Sequence, residues 1–287
     1  MRTLATISLA ALACAACSKP ADKPAATAVP NDVVIVATDY AFKAPATVRP
    51  GLVNFRFSNT GRVRHELNIH QLKPGVSIDQ FIKTIREDKT VRPLIVGAVG
   101  VLFAEPGGHS NSGLAVNVLP GENYAVICIF RDSTDAKAHY EMGMYSLITG
   151  SSEAAAMTAS IPTDTIVAMD YAFKYPQSVA PGPHAFLMRN DGKQSHEMNF
   201  LLLKKGVTLQ KVLDTDKAGG NIDDMFDGDL GLLHSYGGTS PLGQLTINML
   251  PDREYVVACF FQDTPKSLPH YKLGMYGSIH TTAQKST

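Results

Sequence analysis

The chain has 287 residues and a formal net charge of zero, with 45% hydrophobic and 18% charged residues. This length allows two ordinary domains, each able to bury a core. The scattered charges form no basic patch for nucleic acid and imply neither an acidic nor a basic partner. Beyond the N-terminal segment, no apolar run is long enough to cross a bilayer. The composition is typical of a compact protein.

The N-terminus has the pattern of an export signal. Arg2 precedes an apolar run of small residues, 4–16, that is too short to span a membrane. The run ends at Cys17 and resembles a bacterial lipoprotein signal, in which this cysteine becomes the lipidated first residue. Lipidation at Cys14 and plain secretion are the alternatives. We expect an exported protein, anchored by lipid on the periplasmic side of the cell envelope, at the outer membrane.

The rest of the chain repeats itself after 131 residues (259 minus 128). The segment CIFRDSTDAKAHYEMGMY, 128–145, returns as CFFQDTPKSLPHYKLGMY, 259–276. Cys, Phe, Asp, His, Tyr, Gly, Met and Tyr keep their positions in both copies. The expected division of the chain is a signal over 1–17, a linker over 18–31, a first domain over 32–149, a linker over 150–160 and a second domain over 161–287.

Short strands with Pro-Gly turns dominate each repeat. Period-two alternation after residue 64 points His65 inward, and the same alternation points His196 inward. The strand that ends at Cys128 is apolar on both faces, so we expect it to be covered on both sides and the thiol to be buried. These patterns predict an all-β sandwich in each repeat.

One segment of each repeat has helical spacing instead. Ser77 and Gln80 form a capping box, and Ile78, Phe81 and Ile82 follow at the spacing of an amphipathic helix. The second repeat keeps this pattern after Thr208. We therefore predict a short helical insertion in each sandwich.

The two copies diverge over 90–113 and 217–243, which we interpret as loop regions with glycine-rich segments, GGHSNSG and GGTSPLG, near their ends. Specificity for a substrate or partner tends to concentrate in such loops. His109 and His234 lie there at non-equivalent positions. Because neither has a partner residue at ligand spacing, we interpret both as solvated loop residues.

The order of these motifs resembles the cupredoxins, the type 1 blue copper proteins. In both repeats a histidine follows an Asn-x-Gly turn, then a Tyr-x-x-x-Cys strand, then His-Tyr-x-x-Gly-Met, which is most similar to the pseudoazurin end. The resemblance covers most of both repeats outside the divergent stretches. It implies two tandem Greek-key sandwich domains.

The resemblance also implies a metal, copper in type 1-like sites, with up to two ions per chain. Two imidazoles, a thiolate and a weakly bound methionine sulfur form such a site. Carried over by motif, the ligands are His65, Cys128, His139 and Met144 in the first repeat, and His196, Cys259, His270 and Met275 in the second. The implied function is electron transfer or copper carriage, with a redox or copper-exchange protein as partner.

The sequence departs from the family in the length of one segment. Ten residues, 129–138, separate the cysteine from the second histidine, and the second repeat has the same number. The bulky Ile129 and Phe130 indicate that the strand continues where a ligand loop normally begins. A segment of this length can still return His139 to the cysteine.

Other interpretations of the cysteines and histidines stay open. Cys128 and Cys259 can be metal thiolates, one interdomain disulfide or inert buried thiols. A metal-free cupredoxin-like interaction module, binding its partner on the cell envelope through the divergent stretches, is the alternative function. Glu66 and Glu197, beside the inward histidines, are expected to support the site or to be solvated.

Enzymatic copper chemistry is not indicated by the sequence. Multicopper oxidases and two-domain nitrite reductases need histidines beside the cysteine, or His-x-His pairs, to hold further copper ions. Neither pattern occurs in the chain. We therefore predict a protein that is not an enzyme.

Overall fold

The computed structural model describes residues 31–154 and 163–283. The first repeat contains β1 (Asn31–Thr38), β2 (Ala41–Lys43), β3 (Thr47–Val48), β4 (Gly51–Asn59), β5 (His65–Leu72), α1 (Ile78–Arg86), β6 (Ile95–Ala104), β7 (Ser112–Val118), β8 (Asn123–Ile127) and β9 (Tyr145–Gly150). The second contains β10 (Thr163–Met169), β11 (Ala172–Lys174), β12 (Ser178–Val179), β13 (Gly182–Asn190), β14 (His196–Leu203), α2 (Leu209–Lys217), β15 (Phe226–Ser235), β16 (Gln244–Met249), β17 (Glu254–Ala258) and β18 (Tyr276–Thr281).

The predicted all-β fold with a helical insertion in each repeat is confirmed. Ser77 caps α1, where its hydroxyl oxygen accepts a hydrogen bond from the Gln80 N–H at 3.1 Å. In the first repeat the chain passes from β5 and β6 in one sheet to β7 in the other and then returns to β8, which pairs with β5. In the second repeat β17 pairs with β14 in the same way. Among the described helices, none is long and apolar enough to cross a membrane.

The two sheets run without interruption through both repeats. One sheet has the order β11-β10-β13-β16-β7-β4-β1-β2, and the other has the order β12-β18-β17-β14-β15-β6-β5-β8-β9-β3. Strands β16 and β7 pair antiparallel across the repeat boundary, and β15 and β6 pair at Leu232 and Val101. A single buried cluster accordingly contains residues of both repeats, from Ile35 to Ile279. The repeats share one core instead of burying two separate ones.

The divergent stretches 90–113 and 217–243 build this seam. The glycine-rich segments near their ends do form loops, as over 236–243, but the stretches are not loops throughout, because they contain β6 and β15, the strands that join the larger sheet. Their glycines permit close backbone approach. A Cβ on Gly243 would lie 2.2 Å from the Val99 carbonyl oxygen, and one on Gly231 would lie 2.6 Å from the Val101 carbonyl oxygen.

Strand β8 is covered on both faces, as predicted. Tyr124, Val126 and Cys128 lie in the shared core. Ala125 and Ile127 belong to a second buried cluster beneath α1. The thiol of Cys128 therefore lies at the end of a strand whose two faces are both packed against buried clusters.

The domain boundaries stay predictions. Cys14, Cys17 and the rest of the leader lie outside the described residues, as does most of the linker 150–160.

Candidate metal centres

Each repeat brings two histidines and one cysteine together at the end of the sandwich. In the first repeat, His65 begins β5, Cys128 follows β8 directly, and His139 begins a short 3₁₀ turn. Their ligand atoms all lie within 4.8 Å of one another, and the three side chains are fully buried. Strand ends and backbone turns, not mobile tips, position these side chains.

The second repeat forms an equivalent cluster from His196, Cys259 and His270. These side chains are also fully buried. Within the described residues, the ligand triads predicted from the sequence are thus brought together in both copies.

The distances within the two clusters match closely. In the first, the two histidine Nδ1 atoms are 3.0 Å apart, and Cys128 Sγ lies 3.9 Å from His65 Nδ1 and 3.4 Å from His139 Nδ1. The corresponding distances in the second are 3.0, 3.9 and 3.5 Å. An ion bonded to nitrogen at about 2.0 Å and to sulfur at about 2.3 Å spaces such atoms roughly 3.3–3.8 Å apart. The donor set therefore fits a metal ion with little adjustment.

The long segment after each cysteine does return the second histidine. The prediction that the strand continues through Ile129 and Phe130 is wrong, because β8 ends at Ile127. The backbone beyond it bonds to the returning chain, where His139 N–H donates to the Phe130 carbonyl at 3.0 Å and Tyr140 N–H to the Cys128 carbonyl at 2.9 Å. The second repeat has the same pair of bonds, at 3.0 and 2.8 Å.

The methionines lie beside the clusters in the buried core. Met144 is fully buried together with Cys128, and their backbones are joined by a Cys128 N–H to Met144 carbonyl bond of 3.2 Å. Met275 holds the same place beside Cys259, with a bond of 3.1 Å. Met142, in contrast, is 41% exposed. Burial thus favours Met144 over Met142 as the candidate sulfur ligand beside the first cluster.

Burial favours the uncharged form of both cysteines and of the first histidine in each cluster. It raises the pKa of both thiols, Cys128 and Cys259, to about 12. It lowers the pKa of His65 to about 4, assisted by the nearby His139, and it lowers the pKa of His196 in the same way. Neutral imidazoles can donate their lone pairs to a metal, but each thiol must lose its proton when it becomes a thiolate ligand.

Backbone N–H groups point at both sulfur atoms. Glu66 N–H lies 3.5 Å from Cys128 Sγ, and Glu197 N–H lies 3.2 Å from Cys259 Sγ. The Glu66 carboxylate turns back to accept a bond from the Ile129 N–H at 2.9 Å, and burial raises its pKa to about 7. Of the two expectations for Glu66, support of the site fits these contacts and solvation does not.

Carboxylates that the sequence did not single out lie at the outer nitrogens of three of the histidines. His139 Nε2 is 3.1 Å from Asp132 Oδ1, and His270 Nε2 is 3.3 Å from Asp263 Oδ2. His196 Nε2 is 3.5 Å from an oxygen of Asp170. Asp132 and Asp263 occupy equivalent positions in the two repeats, and this match was the feature of the sequence that could have identified them.

The remaining predictions on cysteine and histidine have mixed outcomes. Cys128 and Cys259 are both free, so an interdomain disulfide is excluded. His109 is exposed, as expected. For His234 the expectation is wrong, because it lies within β15, with Tyr236 and Phe261 rings 4.9 and 5.9 Å away. Burial lowers its pKa to about 4.

The donor sets and the fold together define the class of site. Two imidazoles and a thiol converge in each cluster beside a buried methionine, on a sandwich of the predicted cupredoxin-like type. Soft sulfur ligands with imidazole in this combination favour copper. The structure thus supports up to two type 1-like copper sites per chain.

No family model matches the chain, and no curated protein matches it. Among solved structures, reduced auracyanin from Roseiflexus castenholzii is 20% identical, covers 42% of this chain and 97% of its own, and has a TM-score of 0.30. A blue copper oxidase from Nitrosomonas europaea is 12% identical, covers 88% of this chain and 86% of its own, and has a TM-score of 0.24. A copper-containing nitrite reductase from Thermus scotoductus is 12% identical, covers 88% of this chain and 62% of its own, and has a TM-score of 0.25.

Proposed function

We propose that this chain is a lipid-anchored protein on the periplasmic side of the cell envelope that binds one copper ion in each repeat. A copper ion in such a site supplies one-electron exchange between its two common oxidation states. We further propose that the protein passes electrons, or copper itself, to a protein partner and that it is not an enzyme. The signal at Cys17 supports the location.

One observation carries the proposal. In both repeats the two inward histidine nitrogens lie 3.0 Å apart, with a buried cysteine sulfur within 3.9 Å of each. In an exported protein cysteines are usually paired in disulfides, so two cysteines that stay free call for another role, and metal binding supplies one. The length of the segment between the cysteine and the second histidine was the main argument against a copper site. The segment returns the histidine to the cysteine in both repeats, so its length no longer counts against copper.

The chain's own residues hold and shield the site. The histidines present Nδ1 to the centre, and the backbone bonds of Cys128 with Tyr140 and Met144 fix the thiol. Tyr40 and Phe130 lie edge-on to the His139 ring, with centroids 5.0 and 5.6 Å away, and limit the access of water. A rigid, dry ligand set of this kind is suited to electron exchange with little rearrangement.

The metal-free interaction module has less support. Its proposed contact regions, 90–113 and 217–243, largely build the seam between the repeats. An open cleft of about 590 Å³ remains between the repeats, lined by Arg64, Phe103, Asp229 and Phe260 among others. Nothing in its lining identifies a partner.

Copper loading of the protein without residues 1–17 tests the proposal. We expect two copper ions per chain and an intense visible thiolate-to-copper absorption band. Cys128→Ser and Cys259→Ser should each remove one ion and the matching part of the band. Met144→Leu should shift the band, whereas the matched control Met142→Leu should leave it unchanged, because repeat 2 has Leu273 there. Loading that yields no bound copper and no band would refute the proposal.

A further inference from the structure

A tyrosine and an aspartate form a chain of contacts behind one histidine of each cluster. Tyr40 Oη donates to Asp132 Oδ2 at 2.9 Å, and Asp132 Oδ1 lies 3.1 Å from His139 Nε2. In the second repeat, Tyr171 Oη donates to Asp263 Oδ2 at 3.3 Å, and the same oxygen lies 3.3 Å from His270 Nε2, within ion-pair distance but without the geometry of a hydrogen bond. Each chain joins residues 92 positions apart, so its presence in both repeats does not follow from local sequence.

The tyrosines occupy backbone conformations that bulky residues rarely adopt. Tyr40 has φ of 60° and Tyr171 has φ of 64°, each in the two-residue turn between the first two strands of its repeat. Glycine or asparagine is favoured at such positions, and a larger residue there strains the backbone. Both rings stand edge-on to the histidine, with centroids 5.0 Å away. The strained backbone of each tyrosine thus occurs where the ring packs against a histidine of the cluster.

The long segment after the cysteine supplies the aspartate. Asp132 and Asp263 each lie four residues after the cysteine. The first segment is braced by a 2.6 Å bond from Arg131 to the Ala136 carbonyl, and the second by a 2.6 Å bond from Gln262 to the Ser267 carbonyl. The extra length, which is unusual for the family, therefore has a role in bringing a carboxylate to the histidine.

A carboxylate at Nε2 has two effects on a histidine ligand. It accepts a hydrogen bond from the Nε2–H group, which keeps the proton on Nε2 and leaves the Nδ1 lone pair free on the side of the thiol, and it makes the imidazole a stronger electron donor. In His139 that Nδ1 lies 3.4 Å from Cys128 Sγ. Added negative charge stabilises the more positive oxidation state of a bound metal.

We propose that Asp132 with Tyr40, and Asp263 with Tyr171, are positioning residues that fix the orientation of His139 and His270 and lower the reduction potential of copper held by them. This inference rests on the proposed function. It explains the length of the segment after each cysteine and the strained backbone of the two tyrosines.

The test uses the copper-loaded protein carrying Cys259→Ser, so that only the first centre reports. Asp132→Asn should weaken Cu(II) binding about 10- to 100-fold, the usual effect of removing a partner of a ligand histidine. Cu(I) binding should weaken less, and each tenfold difference raises the potential by about 59 mV. Tyr40→Phe should act in the same direction with a smaller effect. Asp135→Asn, in the same segment and exposed, is the matched control and should change neither quantity.

A readout without copper separates the possible failures. Nitrogen NMR of the metal-free parent should show the His139 proton on Nε2, and Asp132→Asn should alter that signal. A Cys259→Ser parent that binds no copper would overturn the proposed function together with this inference. A parent that binds copper, with Asp132→Asn leaving potential and affinity unchanged, would overturn this inference alone. If Asp132→Asn does not fold, the same measurements of copper affinity and potential are made on Asp263→Asn in the Cys128→Ser protein, where only the second centre can bind copper.

Discussion

The two repeats hold matching ligand clusters beneath different outer layers. Corresponding ligand distances agree within 0.1 Å, at 3.4 against 3.5 Å for the cysteine and the second histidine. The helices that cover the sheet differ, because α1 buries Phe81 and Ile82 whereas α2 buries Val212. The cluster geometry is therefore set by the inner face of the sandwich and the returning hairpin, and the helical layer contributes stability.

The largest expected difference between the repeats lies in this helical layer. Phe81→Ala should lower the free energy of unfolding by about 3–5 kcal/mol, because it empties a fully buried site in a filled cluster. Val212→Ala at the matching position should cost about 1–2 kcal/mol, since it removes only two methyl groups. Denaturant unfolding of the metal-free protein measures both. Equal losses would show that the two helices are packed alike.

The seam between the repeats should be the next most sensitive region. Gly243→Ala should cost about 2–3 kcal/mol, because the new Cβ meets a backbone carbonyl that cannot rotate away. Gly228→Ala, in β15, is the matched control, since the nearest atom to its Cβ would be 3.5 Å away. Because the sheets and the core are continuous, we expect the parent to unfold in one transition. A parent with two separate transitions would contradict the shared core.

A half-buried histidine also distinguishes the repeats. His70, against Phe81, has Leu201 at its place in the second repeat, and its Nδ1 has no hydrogen-bond partner. Burial lowers the pKa of His70 to about 4, below its ordinary value of 6.5, so the unfolded chain binds more protons between these values. The stability due to neutral His70 is therefore complete above pH 6.5 and is lost as the pH falls towards 4.

The variant His70→Leu isolates this contribution. Relative to this variant, the parent should lose about 1.5 kcal/mol of stability between pH 6.5 and 5. Comparing parent and variant removes other groups, including Glu66, whose pKa is raised to about 7 and which acts in the opposite direction. Unfolding free energies at several pH values provide the measurement. Parallel pH profiles would show that His70 is already protonated, or equally accessible, in the folded protein.

The sequence was most informative where each repeat follows a regular period. Two-residue alternation correctly placed His65 and Cys128 inward, and the capping box at Ser77 located α1. The order of ligand types was enough to select the triads that converge in space. These features depend on neighbours close in the chain or on one face of one strand.

The seam and the outer contacts of the site could not be predicted in this way. The divergent stretches were expected to form loops, yet they contain β6 and β15, which pair with β5 and β14 of their own repeats and with each other across the seam at Val101 and Leu232. The contact of Tyr40 with Asp132 joins residues distant in the chain, and no local pattern specifies it. The expectation for His234 was wrong for a similar reason, since Phe261, one of the two rings beside it, is distant in the chain.

The smallest expected difference concerns charge beside the first histidine of each centre. In repeat 1 the Asp39 carboxylate is paired with Arg62 at 2.8 Å. In repeat 2 the equivalent Asp170 accepts bonds from the backbone of Lys193 and lies 3.5 Å from His196. The negative charge near the first centre is thus partly compensated by an arginine, whereas within the described residues Asp170 forms no ion pair with a lysine or an arginine.

Arg62→Gln should therefore lower the copper potential of the first centre, measured in the Cys259→Ser protein, because Asp39 then acts on His65 without compensation. Arg62 is 89% exposed, so the shift should be small and should shrink in about 1 M salt, where screening extends over about 3 Å. Lys193→Gln, in the Cys128→Ser protein, is the matched control and should change the second centre less. A potential that rises in Arg62→Gln would mean that the arginine acts by holding the Asp39 turn in place and not by its charge.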